Sequence, residues 1–300
     1  MRSEIEEAIT LLRRGDDEGV DKALALLQNS VFSFSMRVCG QRQDAEDTMQ
    51  EVLGRSFPVL RKFDNPKALL VWLYKVAKTR CLMSRRRSKF APREELSLEE
   101  LMPNRSELES LASENINPEA FAIRSEEAGR LRAAIQKLPP QYRIVLVLRD
   151  MEGLTDEEVG EITGLREGTV RVRLHRARLF VRKELMKLRS PSPAKVQRIL
   201  SPRTQPSARR PSNCKAMFAE LSNYLDEQLD DSLCKELESH LDGCGPCKVF
   251  LASLQATIEE CRKSPAILPN AEAAAKLREK VLDNYKRTIA LVKSTSSSQS

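Results

Sequence analysis

Residues Leu154–Leu185, LTDEEVGEITGLREGTVRVRLHRARLFVRKEL, carry the pattern from which the rest of the chain is read. Thr155 is placed to cap a helix, and Glu158 three residues on completes a capping box. Val159 and Ile162 give that short helix a buried stripe, and Gly164 stops it as a C′ glycine does. A second helix from about Glu167 sets Val170, Leu174, Ala177 and Val181 on one side of a 3.6-residue repeat. Arg171, Val172, His175, Arg176, Leu179 and Arg182 then fall on the opposite side, with Arg173 and Arg178 at its flanks. A helix, a glycine turn and a basic helix in that order predict a helix-turn-helix whose second member enters the major groove of DNA.

The composition agrees. The chain has 300 residues, enough for two or three small domains, and 41% of them are hydrophobic. Its net charge of +7 suits a polyanionic partner because the charge is clustered, at Arg85–Arg87, along Arg171–Arg189 and at Arg209–Arg210. The charged amphipathic start, MRSEIEEAITLLRR, lacks the apolar core of a secretion signal. No apolar run approaches the ~18 residues that suggest a membrane span, so a cytoplasmic protein with no membrane partner is expected. Seven cysteines in that compartment point to metal binding or redox chemistry before structural disulfides.

Periodicity is helical almost throughout, and an all-α fold is expected. Residues ~16–40 form one helix, with Leu24, Leu27, Val31, Phe34 and Val38 along its apolar side. Asp44 begins another, DAEDTMQEVLGRSF, in which Asp44, Asp47, Gln50 and Glu51 share an outward polar strip. A third follows Pro66 and combines an apolar stripe, Leu69, Trp72, Leu73 and Val76, with Lys75, Lys78, Arg80 and Arg85–Arg87. Rings beside cations are what single-stranded nucleic acid requires, stacking for its bases and charge for its phosphates. Trp72 belongs to the stripe, which leaves Tyr74 as the candidate exposed ring. Residues ~88–122 are acidic, rich in Ser, Asn and Pro, and offer little for a core.

Beyond a Pro-, Ser- and Arg-rich stretch after Leu188, the chain becomes helical again. There His240, Cys244 and Cys247 form H-x3-C-x2-C. An imidazole at a helix end and two thiolates from a Gly-Pro turn suit tetrahedral Zn²⁺. Cys214 is the best fourth ligand, because it opens the preceding antiparallel helix and can fold back beside the turn. Cys234 lies on another face of the His240 helix, and Cys261 is fourteen residues past Cys247, ~20 Å along a helix. Cys244-Gly-Pro-Cys247 is also a dithiol oxidoreductase tetrapeptide, but that chemistry needs a strand before the motif and a sheet around it.

In order, DAEDTMQEV, WLYKVAKTRCLMSRRR and LPPQYRIVLVLRDMEGLTDEEVGEITGLREGTVRVRLHRAR resemble a bacterial sigma factor of the extracytoplasmic-function type, over Asp16 to about Leu188. Cys214 to Cys261 resembles the zinc-binding anti-sigma domain. The resemblance implies two helical bundles joined by an acidic linker, plus a small helical zinc-binding domain, and no catalytic residues. It divides the chain into a region 2-like bundle (1–90), acidic linker (91–120), region 4-like helix-turn-helix domain (121–189), second linker (190–212), zinc domain (213–262) and helical tail with a disordered end (263–300).

The same resemblance assigns roles. Asp44, Asp47, Gln50 and Glu51 dock on the RNA polymerase core. Tyr74, Lys75, Lys78, Thr79, Arg85 and Arg86 hold the melted −10 element of promoter DNA. Arg171, Val172, His175 and Arg176 face base edges of the −35 element, and Arg173 and Arg178 contact its phosphates. The family usually has Asn at Thr79 and Asp at Met83, which changes the −10 element this chain would read. Arg166 replaces a small cap before the recognition helix, weakening it by ~1 kcal/mol. One Zn²⁺ is expected on Cys214, His240, Cys244 and Cys247. The zinc domain is also expected to restrain the same chain in cis: a flexible linker of about two dozen residues spans ~25–30 Å, a millimolar-range effective concentration. The alternatives are a free-standing helix-turn-helix regulator and a dithiol oxidoreductase.

Overall fold

The computed structural model describes residues 2–14, 16–56, 63, 65–84, 95–103, 125–189 and 214–297. The described residues form thirteen α-helices and no strand, so the all-α expectation holds. Most of the two linkers, together with Arg85 and Arg86, lies outside them. The chain folds as two compact units.

The first unit contains residues 1–92, 147–165 and 265–300. Its bundle is built from α1 (Arg2–Arg14), α2 (Asp17–Cys39), α3 (Arg42–Ser56) and α4 (Pro66–Ser84). Asp16 caps α2 by accepting from the Gly19 amide, and Gly40, in the left-handed region at φ 77°, ends it. Ile5, Leu24, Leu27, Phe34, Met49, Val52, Leu69 and Leu73 are buried together as the apolar stripes predict. Helix α3 begins two residues before Asp44, which therefore sits in its first turn.

Three findings depart from expectation here. Tyr74 is 2% exposed and packs 4.7 Å from Phe34, whereas Trp72 is half-buried, so the exposed ring on α4 is not Tyr74. Cys39 and Cys81 form a disulfide between α2 and α4, a structural cross-link where metal or redox chemistry was expected. The tail helix, α13 (Ala271–Ser297), packs on α2 and stays helical into the Ser-rich end, which was expected to be disordered. Gln28, fully buried on α2, donates to the Ala274 carbonyl and accepts from Arg278. Ser33 accepts from the Ile267 amide, and Arg37 donates to the Pro265 carbonyl.

The second unit contains residues 93–146 and 166–264. Its helices are α5 (Leu98–Leu101), α6 (Ser125–Lys137), α7 (Pro140–Leu146), α9 (Glu167–Arg189), α10 (Cys214–Leu225), α11 (Asp231–Gly243) and α12 (Gly245–Lys263). Buried Arg143 donates to the carbonyls of Ile135 and Leu138, satisfying groups that the end of α6 leaves open. The acidic stretch is not without a core. Leu101 is buried with Leu179, Phe218 and Phe250, and Leu96, Leu98 and Met102 pack against that cluster. The apolar residues hidden among its glutamates recur often enough to bury one short helical turn.

After α7 the chain passes through a π-helical turn, Val147–Met151, and then α8 (Asp156–Thr163), both in the first unit. The Glu152 amide reaches back to the Val147 carbonyl, closing the wider turn.

Candidate nucleic-acid interface and metal centre

Local chemistry shapes the helix-turn-helix as its sequence requires. Thr155 accepts from the Glu158 amide while the Glu158 carboxylate accepts from the Thr155 amide, the full capping box. Gly164 is left-handed at φ 76°, and a Cβ on Gly160 would lie 2.8 Å from the Leu165 carbonyl oxygen. Both glycines are therefore needed for the turn.

On α9, Val170, Leu174, Ala177 and Val181 are buried as one stripe. The opposite side divides in two. Val172 is exposed and Arg171, Arg173 and Arg176 are half-buried, so the first turns of α9 present a basic surface. His175, Arg178, Leu179 and Arg182, expected on that surface, are instead buried against α10 and α12.

Each polar group among them has a specific partner. Arg178, with no exposed side-chain surface, donates twice to Asp226, at 2.7 and 3.0 Å. Arg262 approaches the same carboxylate at 3.5 Å. Arg182 donates to Ser253 at 2.6 Å and lies 3.7 Å over the Phe250 ring. Nδ1 of His175 shares a 2.8 Å hydrogen bond with the Ser222 hydroxyl. These side chains form an internal polar seam, with the Arg178–Asp226 ion pair buried within it.

Burial first, then the charges of Arg178 and Arg176, lower the His175 pKa to about 4. The folded state therefore takes up this proton later than the unfolded chain does as pH falls. Stability contributed by neutral His175 is complete above about pH 6.5 and is lost toward pH 4, by about 3 kcal/mol in all. Denaturant titrations of wild type and His175→Gln at pH 7 and 4.5 will isolate this group, since the two proteins differ in no other ionisable side chain. The wild type should lose the more stability; equal losses would assign the acid response elsewhere.

The docking strip lies on α3. Gln50 is exposed, and Asp44, Asp47 and Glu51 are half-buried. Glu51 pairs with Arg55 at 2.7 Å and with Arg80 of α4 at 2.8 Å, while Asp47 accepts from Gln43. On α4, Lys75 and Thr79 are exposed, Thr79 bonds to the Lys75 carbonyl, and Lys78 is half-buried.

The metal-ligand motif closes as its spacing suggests. One donor atom each from His240, Cys244 and Cys247 lies within 4.8 Å of the others, with Nε2 of His240 3.4 Å from the Cys247 sulfur. Ligands bonded at ~2.0–2.3 Å around a tetrahedral zinc are separated by distances of this size, so the three fit the ion. Cys214 is the first residue of α10, but its side chain lies outside the described set. Cys234 and Cys261 are in no disulfide and lie outside the cluster. The Cys244–Cys247 turn joins helix α11 to helix α12 and lacks the sheet that a dithiol oxidoreductase requires.

Comparisons with known proteins agree with this architecture. Residues 24–90 match Sigma-70 region 2, residues 128–181 match Sigma-70, region 4, and residues 214–248 match the family described as "Putative zinc-finger". The chain is 29% identical over 192 residues to the ECF RNA polymerase sigma factor SigW of Bacillus subtilis, covering 63% of this chain and all of that one. It is 34% identical over 158 residues to the ECF RNA polymerase sigma factor SigE of Mycolicibacterium smegmatis, covering 52% and 58% of the two chains. Against the RNA polymerase sigma-H factor of Pseudomonas aeruginosa it is 28% identical over 189 residues, 61% of this chain and 94% of the other. Sigma factors are initiation factors, not enzymes, and their partners are the RNA polymerase core and promoter DNA. No described helix is long and apolar enough to cross a membrane. The chain belongs to the sigma-70 family, as a promoter-directing sigma factor of the extracytoplasmic-function type that carries a zinc-finger domain resembling an anti-sigma domain.

Proposed function

We propose that this sigma factor acts in the cytoplasm and is held inactive in cis by its own C-terminal region until a signal releases it. The observation that carries the reading is the seam on α9. His175 and Arg178, two of the six residues assigned to the −35 element, are buried against α10, with Arg178 bonded to Asp226. A helix cannot present these side chains to DNA while they face another helix. The tail supports the same reading, because α13 and the residues before it bond to Gln28, Ser33 and Arg37 of the region 2 bundle.

In the released state, Arg171, Val172, His175 and Arg176 read the −35 element, and Arg173 and Arg178 fix register on phosphates. Lys75, Lys78, Thr79, Arg85 and Arg86 hold the melted −10 strand, joined by Tyr74 once it is uncovered. Asp44, Asp47, Gln50 and Glu51 dock on the polymerase core. A single Zn²⁺ on Cys214, His240, Cys244 and Cys247 keeps the C-terminal domain folded.

Two experiments test this. Reversing Asp47 and Glu51 to Lys should abolish capture of core polymerase; retained capture would favour a free-standing DNA-binding regulator. Transcription with core polymerase should be higher for a chain ending at Arg189 than for the full chain, and equal or lower activity from the folded truncation overturns self-restraint.

For base reading, Arg176→Ala in the truncated chain should cost ~1–3 kcal/mol and relax preference at one base pair. Arg178→Ala should weaken all sequences alike. Selection from randomised DNA will distinguish the two, and unchanged preference in Arg176→Ala removes that side chain from base contact.

A further inference from the structure

Two of the groups that α4 offers to a single strand, Tyr74 and Lys78, are already occupied, by a different part of the chain from the zinc domain. Tyr74 donates to the Glu152 carboxylate at 2.7 Å. Lys78 donates to the Ile162 carbonyl at 2.6 Å, at the C-terminal end of α8, where a helix concentrates negative potential. Lys67, in the first turn of α4, pairs with Glu157 at 3.3 Å. Two cations and a phenol along one helix thus meet two carboxylates and a helix-end carbonyl, all from residues 152–162. Phosphates and acceptor groups of a nucleic-acid strand would make the same kinds of contact.

The junction is anchored as well as complementary. Glu152 has no exposed side-chain surface and is held at 2.8 Å by Arg37, itself almost wholly buried on α2. Burial raises the Glu152 pKa, partly opposed by Arg37, and raises that of Tyr74 further. Removing the Glu152 carboxylate takes from both Arg37 and Tyr74 a buried partner.

We infer that residues 152–162, most of the first helix of the helix-turn-helix and the segment leading into it, cover α4 as an internal mimic of single-stranded DNA, so that the chain masks part of its own −10 surface without help from the zinc domain. This rests on the reading of α4 as the −10 strand holder. In the closed arrangement Tyr74 is a core residue; when the segment leaves, its ring and hydroxyl become available on the same helix as Lys75 and Lys78. Glu152 is thereby a positioning residue for the resting state, and Arg37 is its counter-charge.

The test uses the full-length, zinc-loaded chain. Glu157→Lys turns an exposed ion pair into a repulsion and should leave the interior intact, while Glu152→Gln removes the buried charge at constant shape. Glu161→Lys makes the same charge change elsewhere on α8. Hydrogen exchange over α4 and α8 should rise in Glu157→Lys and Glu152→Gln but not in Glu161→Lys. Binding of a fluorescein-labelled single-stranded 20-mer of mixed sequence, followed by anisotropy, should tighten at least fivefold in the first two variants and less than twofold in the third. Equal tightening in both lysine variants would mean a general charge effect and overturn the inference, as would unchanged exchange. If exchange rises and no protein binds the strand, the −10 reading of α4 fails and takes the mimicry with it.

Discussion

Asp226→Ala in the full-length chain is expected to raise promoter-dependent transcription toward that of a chain ending at Arg189. The substitution leaves Arg178 without its carboxylate, inside a seam where it has no exposed surface. Removing one partner of a buried ion pair typically costs 3–5 kcal/mol, about what unpaired burial of a guanidinium demands. The least costly response is for α10 to leave α9, which returns Arg178 to water and uncovers His175. Arg262→Ala is the matched control, because Arg262 is half-exposed and lies 3.5 Å from the same carboxylate. Pairs of that kind contribute about 0–1 kcal/mol, so Arg262→Ala should leave transcription near the wild-type level. A promoter recovered by selection with core polymerase serves as template, and hydrogen exchange over α9 reports separation directly. Increased exchange without increased transcription in Asp226→Ala would show that covering α9 is not what restrains the protein.

Much of this architecture was legible because it is local. The capping box of Thr155 and Glu158 and the left-handed Gly164 depend on residues within one turn, and the structure contains both. The stripe Val170–Leu174–Ala177–Val181 follows from helical periodicity alone. The H-x3-C-x2-C spacing likewise brings His240, Cys244 and Cys247 together because α11 and α12 meet at one turn.

What sequence could not supply was the identity of distant neighbours. A helical wheel places Arg178 and His175 away from Val170, but it cannot say that α10, starting 36 residues after Arg178, supplies Asp226 and Ser222. A side chain off the apolar stripe reads as solvated unless its partner is known. Tyr74 was misjudged for the same reason: its ring is covered by Phe34 and its hydroxyl by Glu152, 78 residues away. Cys39 and Cys81, separated by 42 residues, meet only after α2 and α4 pack.

Zinc removal should have the largest effect on the C-terminal helices. Their core is narrow: Phe218 and Phe250 meet edge to face at 4.7 Å, with Leu221, Leu237, Leu241 and Leu254 around them. A segment of this size buries too small a fraction of its surface to rely on apolar burial alone. Structural zinc contributes about 10–16 kcal/mol to comparable small domains at neutral pH, far more than this core can replace. Chelation should therefore unfold α10–α12, seen as lost helicity and rapid exchange there, while the α1–α4 bundle remains folded. Cys247→Ser should reproduce the effect, since its sulfur is buried beside His240. Cys261→Ser should keep zinc, because that thiol lies outside the cluster. Cys214→Ser decides the fourth ligand, with wild-type zinc content excluding it. Loss of α10 also strips Arg178 of Asp226, so the metal-free chain should bind −35 DNA as tightly as one ending at Arg189. Metal-free protein that unfolds its C-terminal helices yet binds DNA no better would separate the zinc fold from the restraint.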